Sequence, residues 1–137
     1  MMATTTAETA ALAAFTLPGS PHSARMARFY VRAALTYHGL GGYTDDAEAV
    51  TAELIANAVT HAPAPVVTLA LTWLEGIRGL AIVVTDPSPL PPVKRDLGKD
   101  NTEHGRGLHI VEALSERWGW QPREPGKAVY AILTRNA

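Results

Sequence analysis

The sequence predicts an α/β (α+β) two-layer sandwich, with a mixed, largely antiparallel sheet carrying helices on one face. Three observations carry that prediction. Two amphipathic helical segments follow one another between Ser20 and Ala62. Two apolar segments, VVTLALTWL and LAIVVTD, flank the turn EGIRG and read as a hairpin. A third helical segment then leads into a last apolar strand, GKAVYAILTR. The order strand, helix, helix, hairpin, helix, strand buries the apolar helix stripes against one side of a sheet.

Taken in order, residues 1–12 are expected to form a disordered tail and residues 13–137 a single domain. AAFTLP, from Ala13 to Pro18, reads as a short strand that Pro18 and Gly19 end. Ser20 followed by Pro21 is a helix-start signal. The helix it opens has Met26, Phe29, Tyr30, Ala33, Ala34 and Tyr37 as its apolar side and Arg25, Arg28 and Arg32 as a solvated one, and HGLGG closes it. Thr44 or Asp45 caps a second helix, with Asp45, Asp46 and Glu48 at the positive end of its dipole. PAP stops it after Ala62. Residues 87–104 hold four of the ten prolines and show no periodicity, so they form a long loop of the kind that is usually functional. GRGLHIVEALSERWG reads as a glycine-initiated amphipathic helix, with Leu108, Val111, Leu114 and Trp118 at helical spacing.

Composition narrows the function. The chain has 137 residues, 47% of them hydrophobic, which suits one domain with one core. A formal net charge of -1 argues against a nucleic-acid binder or a membrane-surface protein. No apolar run approaches the roughly 20 residues that span a bilayer. The N-terminus has no basic region ahead of its apolar part, so no signal peptide is expected. Without cysteine there is no disulfide framework or thiolate metal site. A cytoplasmic location is the default expectation.

Three segments carry polar chemistry. In TAELIANAVTHA, Glu53, Asn57 and His61 recur every fourth residue at the edge of the apolar arc formed by Val50, Leu54, Ile55, Ala58 and Ala62. Glutamate there suits a base, and asparagine a neutral oxygen ligand for Mg²⁺, which takes few protein ligands. In IVVTDPSP, Asp86 ends an apolar strand, where a carboxylate is costly without a partner such as an amino group of a ligand. In HGRGLHIVEAL, Gly105 and Gly107 flank Arg106 at a helix N-terminus, whose free N–H groups and dipole attract phosphate. Each pattern taken singly is also met by a blander structure: a polar helix flank, a turn-opening aspartate, or a glycine-rich helix start.

In this order and spacing, ELIANAVTHA, VVTDPSPLPP and GRGLHIVEALSERWG resemble the N, G1 and G2 boxes of the GHKL ATP-binding superfamily. The form ending in GKAVYAILTR is similar to the anti-sigma-factor serine kinases of the RsbW and SpoIIAB type, in particular their short stand-alone actinomycete relatives. The resemblance implies the Bergerat fold, ATP and Mg²⁺ as ligands, and roles for individual residues. Glu53 matches the general base, and Asn57 the ligand of the Mg²⁺ that bridges the triphosphate. His61 falls near the phosphates, and Asp86 matches the acceptor of the adenine amine, with Ser88 beside it. Gly105, Arg106, Gly107 and Leu108 match the phosphate cradle, and residues 87–104 a lid. The resemblance further implies a protein partner, an anti-sigma-factor antagonist to be phosphorylated or a sigma factor to be sequestered, and a homodimer formed through the sheet. The alternative is a non-catalytic module in which nucleotide sets the conformation a partner recognises. Many relatives have D-x-G-x-G in the G1 box. Asp86-Pro87-Ser88-Pro89 instead stiffens the turn and removes two N–H donors.

Overall fold

The computed structural model describes residues 9–61, 65–92 and 103–135. Five strands, β1 (Thr9–Pro18), β2 (Val66–Leu74), β3 (Gly79–Asp86), β4 (Arg117–Pro122) and β5 (Lys127–Thr134), form one sheet in the order β1-β2-β3-β5-β4. Each pairing is antiparallel. Helices α1 (Ser23–Tyr37), α2 (Thr44–His61) and α3 (Glu103–Leu114) supply the second layer. This is the α+β sandwich the sequence predicts.

Strand alternation sorts the sheet into two faces. Val67, Leu69 and Leu71 of β2, Leu80, Ile82 and Val84 of β3, and Val129, Ala131 and Leu133 of β5 are buried in one core. From the helices that core takes Ala27, Val31 and Leu35 of α1, Val50, Leu54, Ile55 and Ala58 of α2, and Leu108 and Val111 of α3. α2 is the central helix: it packs on α1, on α3 and across β3 and β5. Thr68, Ala70, Val83, Thr85 and Tyr130 belong to the other face, and none of them is fully buried.

Four expectations need correction. β1 starts at Thr9, so Thr9, Ala10 and Ala11 pair with β2 and residues 9–12 are not part of a tail; the register shifts between Ala11 and Ala13, at Leu12. The buried stripe of α1 is Ala27, Val31 and Leu35 with Ser23, whereas Phe29 and Tyr37 are 76% and 85% exposed. The aromatic stripe is displaced to the margin, where Tyr30 stacks on Phe15 at 5.0 Å. Arg28 and Arg32 are not merely solvated, because both reach Glu48 of α2, at 3.7 and 2.6 Å.

The fourth correction concerns the C-terminal third. α3 ends at Leu114, and Trp118 lies in β4, a strand the sequence reading did not find. Trp118 and Trp120 face Ala131 and Val129 of β5 in register, an alternation of period two that also happens to continue a helical spacing from Leu114. Gly119 opposes Tyr130, whose ring occupies the space that a side chain at Gly119 would fill.

Candidate functional site

α2 presents two of its three expected polar residues at the margin of the core. Val50, Leu54, Ile55 and Ala58 are buried as predicted, and Glu53 and Asn57 are half-buried beside them. His61 ends the helix, and its side chain lies outside the described residues. Since α2 packs on both β3 and α3, the three elements bearing the expected motifs are neighbours.

Asp86 is the last residue of β3 and shares the helix-covered face with Leu80, Ile82 and Val84. It is only 3% exposed. One carboxylate oxygen, Oδ1, accepts the Ser88 N–H at 2.8 Å, closing an Asx turn at the mouth of the loop. Oδ1 also accepts from Nζ of Lys127 at 3.0 Å. Oδ2 is buried and has no hydrogen-bond partner among the described residues. A buried unpaired oxygen of an ionised carboxylate is expensive, so its persistence marks a place for a donor.

Lys127 is the site residue that the sequence reading missed. It opens β5 directly opposite Asp86, is 4% exposed, and donates a second time to the Ser88 carbonyl at 3.4 Å. Its alternation with Val129, Ala131 and Leu133 was the available signal, because a lysine in that row must point into the core. Gly126 brings it there. The β4–β5 turn closes with the Arg123 N–H donating to the Gly126 carbonyl at 2.7 Å, and a Cβ at Gly126 would overlap the Asp86 carbonyl oxygen. On the opposite side of the sheet, a cleft of about 370 Å³ lined in part by Thr68, Thr85 and Pro87 backs onto the same strand end.

α3 begins at Glu103, two residues ahead of expectation, so Gly105, Arg106 and Gly107 fall within its first two turns. The first four N–H groups of such a helix have no partner inside it and face an anion well. The side chains of residues 103–107, and residues 93–102 of the expected lid, lie outside the described residues. Leu108 is 2% exposed and belongs to the core, so its side chain packs rather than contacts solvent.

The donor set fits the ligands that the motifs imply. Oδ2 of Asp86 fits an amine donor. Among the described residues no group of three or more carboxylate or histidine side chains could hold a metal by itself. A half-buried asparagine supplying one oxygen, with phosphate and water filling the other positions, suits Mg²⁺. No helix among the described residues is long and apolar enough to cross a membrane.

Comparison with known proteins agrees with this fold. The family profile of the histidine kinase-like ATPase domain matches residues 17–133. Among solved structures, the chain is similar to the RsbU and RsbW domains of Rv1364c from Mycobacterium tuberculosis, with a TM-score of 0.64 and 18% identity. The match covers 91% of this chain and 34% of that one, so the chain spans about a third of its length. No curated protein matches.

Proposed function

The chain belongs to the histidine kinase-like ATPase domain family, a family of ATP-binding domains, and on that footing we propose that it is a regulatory serine/threonine protein kinase of the anti-sigma-factor type. In the cytoplasm it phosphorylates an anti-sigma-factor antagonist, sequesters a sigma factor, or does both. The observation that carries the reading is the buried Oδ2 of Asp86, which has no partner among the described residues and would accept from the exocyclic amine of adenine. The structural neighbour with an RsbW domain supports the anti-sigma-factor type.

The division of labour follows from phosphoryl transfer, where a protein mainly positions groups and stabilises charge. Glu53 takes the proton of the attacking serine or threonine hydroxyl as that oxygen bonds to the γ-phosphorus and the bond from the γ-phosphorus to the β,γ-bridging oxygen breaks, releasing ADP. Asn57 would hold Mg²⁺ through one oxygen, and the ion would supply charge neutralisation at the triphosphate. The N-terminus of α3, with Gly105, Arg106 and Gly107, and His61 at the end of α2 face the phosphates. Ser88 holds Asp86 in place through its N–H.

A specific observation favours the non-catalytic module as the second reading. Oδ1 of Asp86 is already committed to Ser88 and Lys127, and Pro87 and Pro89 contribute no N–H donors at the pocket mouth. Incubation with Mg²⁺ and γ-labelled ATP, alongside anti-sigma-factor antagonists from the same genome, separates the two. Label on an antagonist serine or threonine is the outcome expected of the kinase. Calorimetric binding of nucleotide with no transfer to any antagonist is the outcome expected of the module.

A further inference from the structure

The Asp86–Lys127 pair is more than a neutralised charge. An ammonium group carries three N–H donors. Two of those on Lys127 are placed, on Oδ1 of Asp86 at 3.0 Å and on the Ser88 carbonyl at 3.4 Å. The third has no partner among the described residues. Among the described residues the ion pair therefore leaves the acceptor Oδ2 without a partner and Nζ with two of its three N–H groups placed. A buried acceptor left so is costly.

The fold does not demand a lysine there. Val129, Ala131 and Leu133, its neighbours on the same face of β5, are apolar. A buried ion pair is commonly no more stabilising than the apolar residues that could replace it. What a lysine adds is a positioned donor beside a positioned acceptor. The ligand edge that satisfies both has a donor next to an acceptor, and the amine and N1 of adenine are such a pair.

We propose that Lys127 is a specificity-determining residue that donates to N1 of the base while Asp86 Oδ2 accepts from its amine. The proposal rests on the reading of Asp86 as the adenine acceptor and deepens it. Recognition becomes two-point: the carboxylate selects for the amine, and the ammonium selects for an unprotonated ring nitrogen beside it. A base lacking either group leaves a buried polar atom unpaired, which is how polar sites reject close analogues.

Calorimetric titration of the wild-type chain with Mg²⁺ and three nucleotides tests this. ADP is compared with 1-deaza-ADP, which has a C–H in place of N1, and with purine riboside 5′-diphosphate, which lacks the amine. We expect 1-deaza-ADP to bind about tenfold more weakly than ADP, the effect of one hydrogen bond to a charged group. In Lys127→Met the two bind within about twofold. Equal binding of 1-deaza-ADP and ADP to the wild type overturns the role of Lys127 and leaves that of Asp86 standing. A preference for N1 that persists in Lys127→Met overturns it too. Purine riboside diphosphate binding as tightly as ADP, or no binding of ADP at all, overturns the adenine reading of Asp86 and the proposal with it. The ligand series on the wild-type chain decides the case even if Lys127→Met does not fold.

Discussion

Two buried carboxylates in this small domain are used in opposite ways. Glu48 of α2 is 7% exposed, and both its oxygens are engaged, Oε2 by Arg32 at 2.6 Å and Oε1 by Arg28 at 3.7 Å. The two arginine side chains are themselves 60% and 51% exposed, so the cluster sits at the surface and fastens α1 to α2. Asp86 is buried together with its lysine, side chain against side chain at 1% and 5% exposure, yet one of its oxygens has no partner among the described residues. A carboxylate that only fastens elements together has no reason to keep a dry, unpaired oxygen. The difference separates a clamp from a reserved binding group.

That comparison can be broken or sharpened by substitution. The largest effect is expected at Glu53, which has no part in either pair. Glu53→Gln lowers phosphoryl transfer by about 10²- to 10⁴-fold, the range of general-base contributions, while calorimetric ADP affinity changes by less than about twofold. Next comes Lys127→Ala, which strands the Asp86 carboxylate in the core. Chemical denaturation registers a loss of about 3–5 kcal/mol, as for removal of one partner of a buried pair. Gly126→Ala follows at about 1–3 kcal/mol, the cost of overpacking, because its Cβ collides with the Asp86 carbonyl oxygen; the same titration detects it.

The smallest effect belongs to the surface clamp. Glu48→Gln lowers the thermal midpoint by no more than about 4 °C, in keeping with ion pairs whose partners are half in water. Salt shrinks the difference between variant and wild type. The hydrogen bond and charge of Glu48, with Asp45 adding to them, hold Arg32 above its ordinary pKa against the slight opposing effect of desolvation. A cation whose pKa is raised on folding contributes its stability at every pH below its unfolded value. The clamp therefore adds no pH dependence from Arg32 across the neutral range, which pH-resolved thermal melts can check.

The same contrast explains what was legible in the sequence. The hairpin and the central helix were readable because their signals are local: nine and eight residues of apolar strand around a short turn, and an apolar arc with a polar margin on α2. Asp86 was readable as an oddity, a charge at the end of a buried strand. Lys127 was readable only as a lysine in the buried row of β5; its partner lies 41 residues away, and nothing local marks that pairing. β4 was hidden for a related reason. Trp118 fits a helical spacing and a strand alternation equally, and only hydrogen bonding to β5 decides between them. On α1 the aromatic stripe was the stronger apolar signal, yet packing selected the narrower Ala27, Val31 and Leu35 row.

The central claim is that Asp86 is kept for a nucleotide and Glu48 for the fold. Calorimetric titration of Mg²⁺-ADP into wild type, Asp86→Asn and Glu48→Gln, each verified as folded by circular dichroism, tests it most directly. The account predicts that Asp86→Asn loses at least about tenfold in affinity, one charged hydrogen bond or more, and that Glu48→Gln matches wild type. Equal affinity in all three proteins, or equal loss in both variants, would contradict it.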